Sequence, residues 1–291
     1  MKDLGQIGVI GLGLLGGSVS LAVLRCFPGV RVVGYSHRRT TRAKARSLGV
    51  ASEVVDDVGS AARGCDVVVL ATPIFTFPQI FRAIGPHLRP GAVVTDVGST
   101  KVLPGRWAAK LLPAGVDYVG SHPIAGSEQR GVEYARDDLF EKAVCILTAH
   151  KKTRGPTVRL LKSFWTRLGC RVELMTAAAH DRILAGVSHV PHVTAAALVN
   201  AVASEQLRFA GRGFMDTSRV ASGPASIWTD VLLANSGNVA RGIDRVISEL
   251  TRLKNAVAEG DQRAVDRLLN RAVRKRKAMI EYKLRKKELM S

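Results

Sequence analysis

Three glycines near the start of the chain have the spacing Gly11-x-Gly13-x-x-Gly16. They follow an apolar run that ends at Ile10 and precede a run that is typical of a helix. In a strand–turn–helix unit, the first glycine permits the tight turn, the second lets a pyrophosphate approach the backbone, and the third lets helix and strand pack closely. Unpaired N–H groups at the helix start attract the pyrophosphate charge. This pattern predicts a dinucleotide site whose contacts include Gly11, Gly13, Leu14, Leu15 and Gly16.

The residues after the second predicted strand, Arg31–Tyr35, indicate which dinucleotide binds. NAD-binding proteins of this type usually place Asp or Glu here, where the carboxylate bonds the ribose hydroxyls. This chain has Ser36, followed by His37, Arg38 and Arg39. A hydroxyl beside two guanidinium groups suits a 2′-phosphate, which an acid would repel. We therefore expect NADP rather than NAD, with the alternative that both arginines merely lie on the exposed start of the next helix.

Polar residues follow the later strands of the predicted sheet. The strand at 65–71 ends at Thr72 and Pro73, beside the expected cofactor crevice. A strand at 92–97 leads to Ser99, and the segment 115–120 leads to His122. Ligands of open parallel sheets lie outside the carboxyl ends of the strands, so we expect Ser99 and His122 near a substrate. A neutral imidazole can accept a proton near physiological pH; the alternative for His122 is a core histidine paired with backbone.

A long apolar helix predicted over 177–204 carries a second polar group. Ser188 and His192 are four residues apart and share a face, and Pro191 should kink the helix there. His189 and His192 suggest a metal, but no further ligand stands nearby at a suitable spacing, so we expect none. The segment 211–221 is predicted to be a polar loop that carries Arg219.

The order of elements indicates an α/β fold with two domains. Strands and helices alternate up to about residue 175, and a strand at 171–175 is expected to close the sheet. After residue 175 only helices are predicted, at 177–204, 224–235 and 239–276. We therefore expect a dinucleotide-binding domain at 1–175 and a helical domain at 176–291 with a basic C-terminal tail.

The composition restricts partners and compartment. Hydrophobic residues make up 46% of the 291 residues, and 43 Lys and Arg against 24 Asp and Glu give a net charge of +19. The basic residues are spread out apart from runs at 274–277 and 283–287, and no aromatic-rich strand accompanies them, so we expect no nucleic-acid partner. No apolar run of transmembrane length is apparent and no signal peptide is expected. The four scattered cysteines predict reduced thiols in a cytoplasmic protein.

Four motifs taken together resemble the prephenate/arogenate dehydrogenase family of tyrosine biosynthesis. They run in order from residue 7 to about 255, and the second and third are more specific than the glycine pattern. The motifs are Gly11-Leu12-Gly13-Leu14-Leu15-Gly16-Gly17-Ser18, Asp96-Val97-Gly98-Ser99-Thr100-Lys101, Gly120-Ser121-His122-Pro123-Ile124-Ala125-Gly126-Ser127-Glu128 and Ser188-His189-Val190-Pro191-His192. The resemblance implies a Rossmann-type domain followed by a helical domain that forms a homodimer.

The resemblance also implies roles for individual residues. His122 corresponds to the catalytic histidine that bonds the ring hydroxyl, and Ser99 to the serine that helps to orient it. Arg219 matches the arginine that binds a carboxylate. The other implied substrate contacts are Ser188, His192, Ser127 and Glu128, the last at the pocket mouth. The implied reaction transfers a hydride from prephenate or arogenate to the nicotinamide, releases carbon dioxide and leaves an aromatic ring.

Two departures from the family pattern affect these expectations. Ser36 replaces the acid of NAD-using members. Met215 stands where some members have a basic residue, so the resemblance does not determine which charges lie at the pocket mouth. Another dehydrogenase with a helical second domain, of the 3-hydroxyacid dehydrogenase or imine reductase type, is the alternative enzyme. A non-catalytic NADP-binding protein or a basic nucleic-acid-binding protein is the alternative from another class.

Overall fold

A computed structural model describes residues 4–126, 129–150 and 153–286. The chain forms two compact units, Met1–Ser236 and Gly237–Ser291. The first unit contains two sheets and nine helices within the described residues, and the second contains the two long C-terminal helices. The first unit thus continues past residue 175. The division into domains at 1–175 and 176–291 stays a prediction.

A six-stranded parallel sheet forms the centre of the first unit. Its order is β3-β2-β1-β4-β5-β6, so the chain first builds outwards to one side of β1 and then to the other. The strands are β1 (Gln6–Ile10), β2 (Arg31–Tyr35), β3 (Glu53–Val54), β4 (Val67–Leu70), β5 (Val93–Asp96) and β6 (Asp117–Tyr118). The crossover helices are α1 (Leu14–Cys26), α2 (Arg39–Ser47), α3 (Phe77–Ile84) and α4 (Val102–Leu111). In such a sheet the crevice outside β1 and β4 receives a ligand, which agrees with the predicted fold class.

Two apolar cores cover the two faces of this sheet because successive strand residues point to opposite sides. Val67 and Val69 of β4 belong to one core, with Val19 and Val23 of α1. Val68 of β4 belongs to the other core, which also contains side chains of α3. The sheet is therefore buried on both faces, as parallel sheets normally are.

A separate three-stranded sheet follows the parallel one. It consists of β7 (Gly120–Pro123), β8 (Val144–Thr148) and β9 (Arg171–Leu174), with α5 (Gly155–Arg167) between the last two. β7 pairs antiparallel with β8, which pairs parallel with β9. The expectation that the strand at 171–175 closes the main sheet is wrong. The last ladder bond of β6, from Val119 N–H to the carbonyl of Val94, ends the main sheet there, and β7 turns to a new partner.

The helices after residue 175 differ in detail from the prediction. The predicted helix at 177–204 is α6 (Ala177–Leu184), a π-helical turn at Ala185–His189, and α7 (Val190–Asn200). The predicted loop at 211–221 is wrong: it contains α8 (Arg212–Ser218) and a 3₁₀ turn at Arg219–Ser222. Side-chain hydroxyls of Thr217 and Ser218 bond the carbonyls four residues earlier, which accommodates these polar residues in a helix. α9 (Ala225–Ala234) completes the unit.

The second unit is a pair of helices, α10 (Ser236–Ala258) and α11 (Gln262–Arg285). The single helix predicted over 239–276 is therefore wrong. The break falls at Gly260, whose φ of +67° lies in the left-handed region that glycine favours. The Asp261 carboxylate accepts the Ala264 N–H and starts α11.

Three further expectations concern membranes, metals and thiols. One continuous helical run, Ala177–Asn200, is long and apolar enough to cross a membrane by length and composition, so the expectation that no such run exists is wrong. The core helix of a soluble protein meets the same criteria. Among the described residues no group of three or more metal-binding side chains is present. All four cysteines are free thiols, and Cys65, Cys145 and Cys170 are buried.

Candidate active site

The glycine turn between β1 and α1 has the geometry that a dinucleotide site requires. Gly11 has a φ of +103°, and a Cβ there would lie 2.4 Å from the Ala71 carbonyl oxygen. A Cβ on Gly16 would lie only 1.8 Å from the Gly11 carbonyl oxygen, so this glycine lets helix and strand meet. A Cβ on Gly13 would have no atom within 4 Å. The helix start therefore opens onto free space, while the other two glycines are enclosed by backbone. Leu14 and Leu15 begin α1 and are half-buried.

The loop after β2 is held by an arginine that the sequence analysis did not single out. Arg42 donates to the carbonyl oxygens of Ser36 at 2.7 Å and His37 at 3.1 Å. It also pairs with Asp56 at 2.6 Å, and Arg46 and Arg42 together lower the pKa of the Asp56 carboxyl. The backbone of Ser36 and His37 is thus held, and Ser36 is buried. The side chains of His37, Arg38 and Arg39 are exposed. Arg38 caps α2 and Arg39 begins it, so the predicted phosphate ligands do lie at an exposed helix start.

The loop after β4 is tied by hydroxyl groups. The Oγ1 atoms of Thr72 and Thr76 are 2.8 Å apart, and Thr76 Oγ1 donates to the carbonyl of Pro73 at 2.6 Å. The backbone N–H of Phe75 contacts the Asp230 carboxylate of α9 at 3.4 Å. The 3₁₀ turn Ile74–Thr76 is therefore packed against α9, so the end of β4 and the helices after residue 175 meet inside the first unit.

His122 is placed by the two sheets together. It follows β6 of the main parallel sheet, as expected, and is itself part of β7 of the three-stranded sheet. Its neighbour Ser121 is buried, and the Ser121 Oγ is 2.7 Å from Thr95 Oγ1 of β5 and accepts Trp165 Nε1 at 2.9 Å. Because side chains alternate along a strand, this anchoring of Ser121 turns His122 to the opposite face.

His122 bonds a histidine that the sequence analysis missed. Its Nδ1 lies 2.8 Å from Nε2 of His180, and Nδ1 of His180 lies 2.8 Å from Oδ1 of Asp181. His180 and Asp181 are buried in α6. The Asp181 carboxylate also accepts the backbone N–H groups of Lys101 at 2.8 Å and Val102 at 2.9 Å, where α4 begins. The first turn of α6 therefore joins His122 to the start of α4.

An ion pair lies beneath this histidine pair. Lys101 Nζ bonds the Asp96 carboxylate, and both side chains are fully buried. The same carboxylate accepts the Tyr118 hydroxyl and the Gly98 N–H, the latter at 2.7 Å. Burial, followed by the positive charge of Lys101, holds the pKa of His122 well below its usual value. His122 is therefore neutral at physiological pH, the form that accepts a proton.

A second group of side chains lies around α7 and contains His192 of α7 and Trp228 of α9. The imidazole of His192 stacks on the indole of Trp228, with centroids 3.6 Å apart and planes within 10°. Gly223 makes room for this stack, because a Cβ there would lie 2.3 Å from Trp228 Nε1. Burial lowers the pKa of His192, and a hydrogen bond with the backbone of Val220 opposes this effect. The bond to Val220 brings His192 beside the 3₁₀ turn that begins with Arg219.

His189 is linked to Asp181 of the first group through Asn235. Asn235 Nδ2 lies 2.7 Å from the Asp181 carbonyl oxygen and 3.2 Å from His189 Nδ1. Because the amide nitrogen donates, His189 Nδ1 accepts and the ring proton is on Nε2. That buried Nε2 has no partner among the described residues. Burial lowers the pKa of His189 to about 4.

Models of known protein families match nearly the whole of this chain. The model described as prephenate dehydrogenase, nucleotide-binding domain, matches residues 19–174. The model described as prephenate dehydrogenase, dimerization domain, matches residues 176–271. The chain belongs to the prephenate dehydrogenase family. The resemblance inferred from the four motifs is thereby confirmed.

Relatives and a solved structure agree with this assignment. The chain is 32% identical to a cyclohexadienyl dehydrogenase of Zymomonas mobilis over 88% of this chain and 89% of that protein. It is 35% identical to a prephenate dehydrogenase of Bacillus subtilis over 90% of this chain and 72% of that protein. A crystal structure of prephenate dehydrogenase from Aquifex aeolicus, in complex with hydroxyphenyl propionate and NAD+, is 31% identical and superposes with a TM-score of 0.88. That comparison covers 94% of this chain and 98% of that one.

The remaining residues expected from the prephenate dehydrogenase motifs make no hydrogen bond to His122 within the described residues. Ser99 is half-buried between β5 and α4, two residues before Lys101, and Ser188 is half-buried in the π turn. Arg219 is exposed at the start of its 3₁₀ turn, and Met215 is 62% exposed on α8. The predicted contacts Ser127 and Glu128 lie outside the described residues. The roles assigned to all of these side chains stay predictions.

Proposed function

We propose that this chain catalyses the oxidative decarboxylation of prephenate or arogenate, with hydride transfer to NADP. The product is 4-hydroxyphenylpyruvate or tyrosine, respectively, within tyrosine biosynthesis. The observation that carries the proposal is the neutral imidazole of His122, held by His180 in a chain of this family whose glycine turn is open at Gly13. The family membership favours this reaction over the 3-hydroxyacid dehydrogenase and imine reductase alternatives.

The residues of the first unit fit a dinucleotide. The free space over Gly13 and the N–H groups at the start of α1 suit a pyrophosphate. Ser36, His37, Arg38 and Arg39 would hold the ribose and its 2′-phosphate, and Thr72 and Pro73 border the crevice after β4. When bound, the nicotinamide accepts the hydride. The preference for NADP is inferred from the exposed guanidinium groups and the lack of an acid at Ser36.

His122 is proposed as the proton acceptor. Its Nδ1 is occupied by His180, which leaves Nε2 to accept the proton of the substrate's ring hydroxyl. The electron pair of that O–H bond moves towards a carbonyl as the hydride departs. Cleavage of the bond to the carboxylate, which leaves as carbon dioxide, sends electrons through the ring to that oxygen, and the oxygen takes the proton back from His122 to become the phenol hydroxyl. Aromatisation of the ring drives the reaction. The enzyme therefore needs mainly orientation and one proton acceptor.

The other proposed contacts orient the substrate. We assign Arg219 to the substrate carboxylate because a guanidinium group binds carboxylates through two parallel hydrogen bonds. Ser99 is assigned to the reacting hydroxyl, and Ser188 and His192 to the substrate ring and side chain. Ser127 is proposed as a further substrate contact, and Glu128 is proposed at the pocket mouth. The packing of α7 against the turn that carries Arg219 supports this grouping.

We infer that the chain acts as a homodimer in the cytoplasm through a helical domain at 176–291. The family model that matches 176–271 is described as a dimerization domain. Large apolar side chains are exposed along α10 and α11 in the described structure, among them Ile247, Leu250, Val257, Leu269 and Met279. The free thiols suit a reducing compartment. Light scattering at micromolar concentration should give twice the chain mass; a monomer with full activity would contradict the dimer.

The test of the proposed function is direct turnover by purified protein. Prephenate and arogenate are each assayed with NADP and with NAD, and reduced cofactor is followed by its absorbance. We expect turnover of at least one substrate, with a higher kcat/KM for NADP than for NAD. No reduction of either cofactor with either substrate would overturn the assignment, and turnover preferring NAD would overturn the cofactor assignment alone.

A further inference from the structure

The side chains behind His122 form a chain of hydrogen bonds that ends at a carboxylate. His122, His180 and Asp181 are linked by two contacts of 2.8 Å each. His180 and Asp181 are 0% and 1% exposed, so water does not compete for these bonds. They belong to β7 and to the first two turns of α6, which are far apart in the sequence.

The direction of the hydrogen bonds follows from Asp181. Its two carboxylate oxygens accept the N–H groups of Lys101 and Val102, so the group acts as an acceptor. Nδ1 of His180 must therefore donate to it, and the neutral His180 ring then has an unprotonated Nε2. That nitrogen can only accept, so Nδ1 of His122 carries the hydrogen that joins the two rings. The ring nitrogen left without a hydrogen on His122 is Nε2.

We propose that His180 and Asp181 are positioning residues that hold His122 in the tautomer whose Nε2 is free to accept the substrate proton. This inference rests on the proposed function and deepens it. The opposite tautomer would present an N–H to the substrate hydroxyl and could not accept its proton. After transfer, the positive charge on His122 faces His180, whose Nδ1–H still points at the negative carboxylate, so no proton needs to move along the chain.

The surroundings support a neutral His180. Burial lowers its pKa, and the hydrogen bond to Asp181 opposes this effect in part. The titratable and charged groups around the pair are Asp96, Lys101, Tyr118, Cys145, Asp181 and His189. Lys101 is paired with Asp96, so Asp181 is the carboxylate that bonds the His180 ring.

The Asp181 carboxylate also holds the start of α4. The N–H groups of Lys101 and Val102 belong to the segment that directly follows Ser99 and Thr100. Asp181 thus fixes the loop that carries Ser99 while it orients His180. One side chain therefore sets the relative positions of the two groups assigned to the reacting hydroxyl.

The test compares variants that change the hydrogen-bond direction with variants that keep it. In Asp181→Asn, an amide NH₂ can donate to His180 Nδ1 and reverse both tautomers. We expect kcat to fall by about 10²–10⁴-fold, the range lost with a general base, and KM to change little. His180→Leu should show a similar loss. His180→Gln keeps one donor and one acceptor, so it should recover at least tenfold of the kcat lost in His180→Leu.

A spectroscopic readout separates positioning from a structural defect. Nitrogen-15 NMR of protein labelled at histidine distinguishes protonated from unprotonated ring nitrogens, without substrate or cofactor. We expect His122, assigned by the signal lost in His122→Asn, to carry hydrogen on Nδ1 in the wild type and on Nε2 in Asp181→Asn. Asp261→Asn is the matched control, because Asp261 also accepts a backbone N–H at a helix start but contacts no histidine in the described structure.

Three results would contradict the positioning role, and a fourth concerns the proposed function. Wild-type kcat in Asp181→Asn and His180→Leu, or a wild-type tautomer of His122 in Asp181→Asn, would overturn the positioning role. Loss of kcat equally in His180→Gln and His180→Leu would also overturn it. If the wild type turns over neither substrate, the proposed function fails, but the NMR result on the free protein still decides the tautomer.

Discussion

At the scale of single residues, the proposed function assigns the proton acceptor and the carboxylate-binding group to two different side chains. His122 lies inside β7 with a lowered pKa, and Arg219 is exposed at the start of a short turn. A base acts only as the reaction proceeds, whereas a carboxylate is bound before and during the reaction. The two residues should therefore affect different kinetic constants.

The first prediction tests this division. His122→Ala should lower kcat by about 10²–10⁴-fold with little change in KM. Arg219→Ala should mainly raise KM, because its bond exists in both the ground and the transition state. In the wild type, kcat should stay constant as the pH falls through 6.5 and decline only below it, since the pKa of His122 is lowered. Steady-state kinetics across pH measure all three effects; near wild-type kcat in His122→Ala would contradict the assignment.

The second prediction concerns the cofactor. Ser36 is buried, its backbone is held by Arg42, and the guanidinium groups of Arg38 and Arg39 are exposed next to it. Ser36→Asp should move the preference from NADP towards NAD, because a carboxylate repels a 2′-phosphate and bonds ribose hydroxyls. Arg38→Ala should raise KM for NADP more than for NAD. Arg63→Ala, an exposed arginine elsewhere on the first unit, is the control. Equal changes for both cofactors would contradict the ribose assignment.

The residues that the sequence analysis missed have a common reason. His180 and Asp181 follow three alanines at the start of a predicted apolar helix, where an adjacent His–Asp pair resembles an ordinary solvated turn. Their importance comes from contacts with β7 and α4, which are 58 and 80 positions away along the chain. The visible signal was a second titratable pair about two turns before Ser188. Arg42 was hidden in the same way, since its partners are backbone carbonyls that no motif marks.

At the scale of elements, the glycine turn and the second sheet differ in how far the sequence could predict them. The turn was predicted because Gly11 and Gly16 each have a local backbone reason to be glycine. The sheet containing β7 was not, since Gly120-Ser121-His122-Pro123 lacks the alternation of apolar residues that marks a strand. Its register depends on Thr95 and Trp165, which are distant in sequence. The break at Gly260 was also missed, because apolar residues at helical spacing continue on both sides of it.

The third prediction uses two glycines of this turn as a matched pair. Gly16→Ala would place a Cβ 1.8 Å from the Gly11 carbonyl oxygen, so α1 must shift. We expect a loss of about 1–3 kcal/mol in the free energy of unfolding, as for overpacked cores. Gly13→Ala meets no atom within 4 Å, so stability should stay near wild type while KM for the cofactor rises. Thermal unfolding and kinetics of both variants check this; an unchanged cofactor KM in Gly13→Ala would argue against a pyrophosphate there.

At the scale of the whole molecule, the folded chain opposes protonation of four of its seven histidines. His122, His180, His189 and His192 all have lowered pKa values, and burial is the main cause for each. The unfolded chain would protonate these rings near pH 6.5, whereas the folded chain resists protonation. Folding stability must therefore decrease as the pH falls below about 6.5.

The fourth prediction follows from this linkage. The free energy of unfolding in urea should be highest above pH 6.5 and should decline as the pH falls, at fixed protein concentration. For His189 the decline is complete near its folded pKa of about 4. His189→Gln should reduce the slope between these values, and His37→Gln, which changes an exposed ring, should not. A slope unaffected by His189→Gln would show that this ring does not resist protonation.

The π turn at Ala185–His189 determines the direction in which the side chains of α7 point around the helix axis. Each residue of an α-helix advances about 100° around the axis. A π turn holds one residue more than an α turn, so α7 leaves it out of phase with α6 by that amount. If the same residues formed a regular α-helix here, His192 would lie about 100° further round the axis, away from Trp228, although every residue of the site would still be present. The geometry of this pocket therefore depends on the one additional residue that the π turn holds, and a chain shortened by one residue, with an α turn in its place, would keep His192 in phase with Trp228.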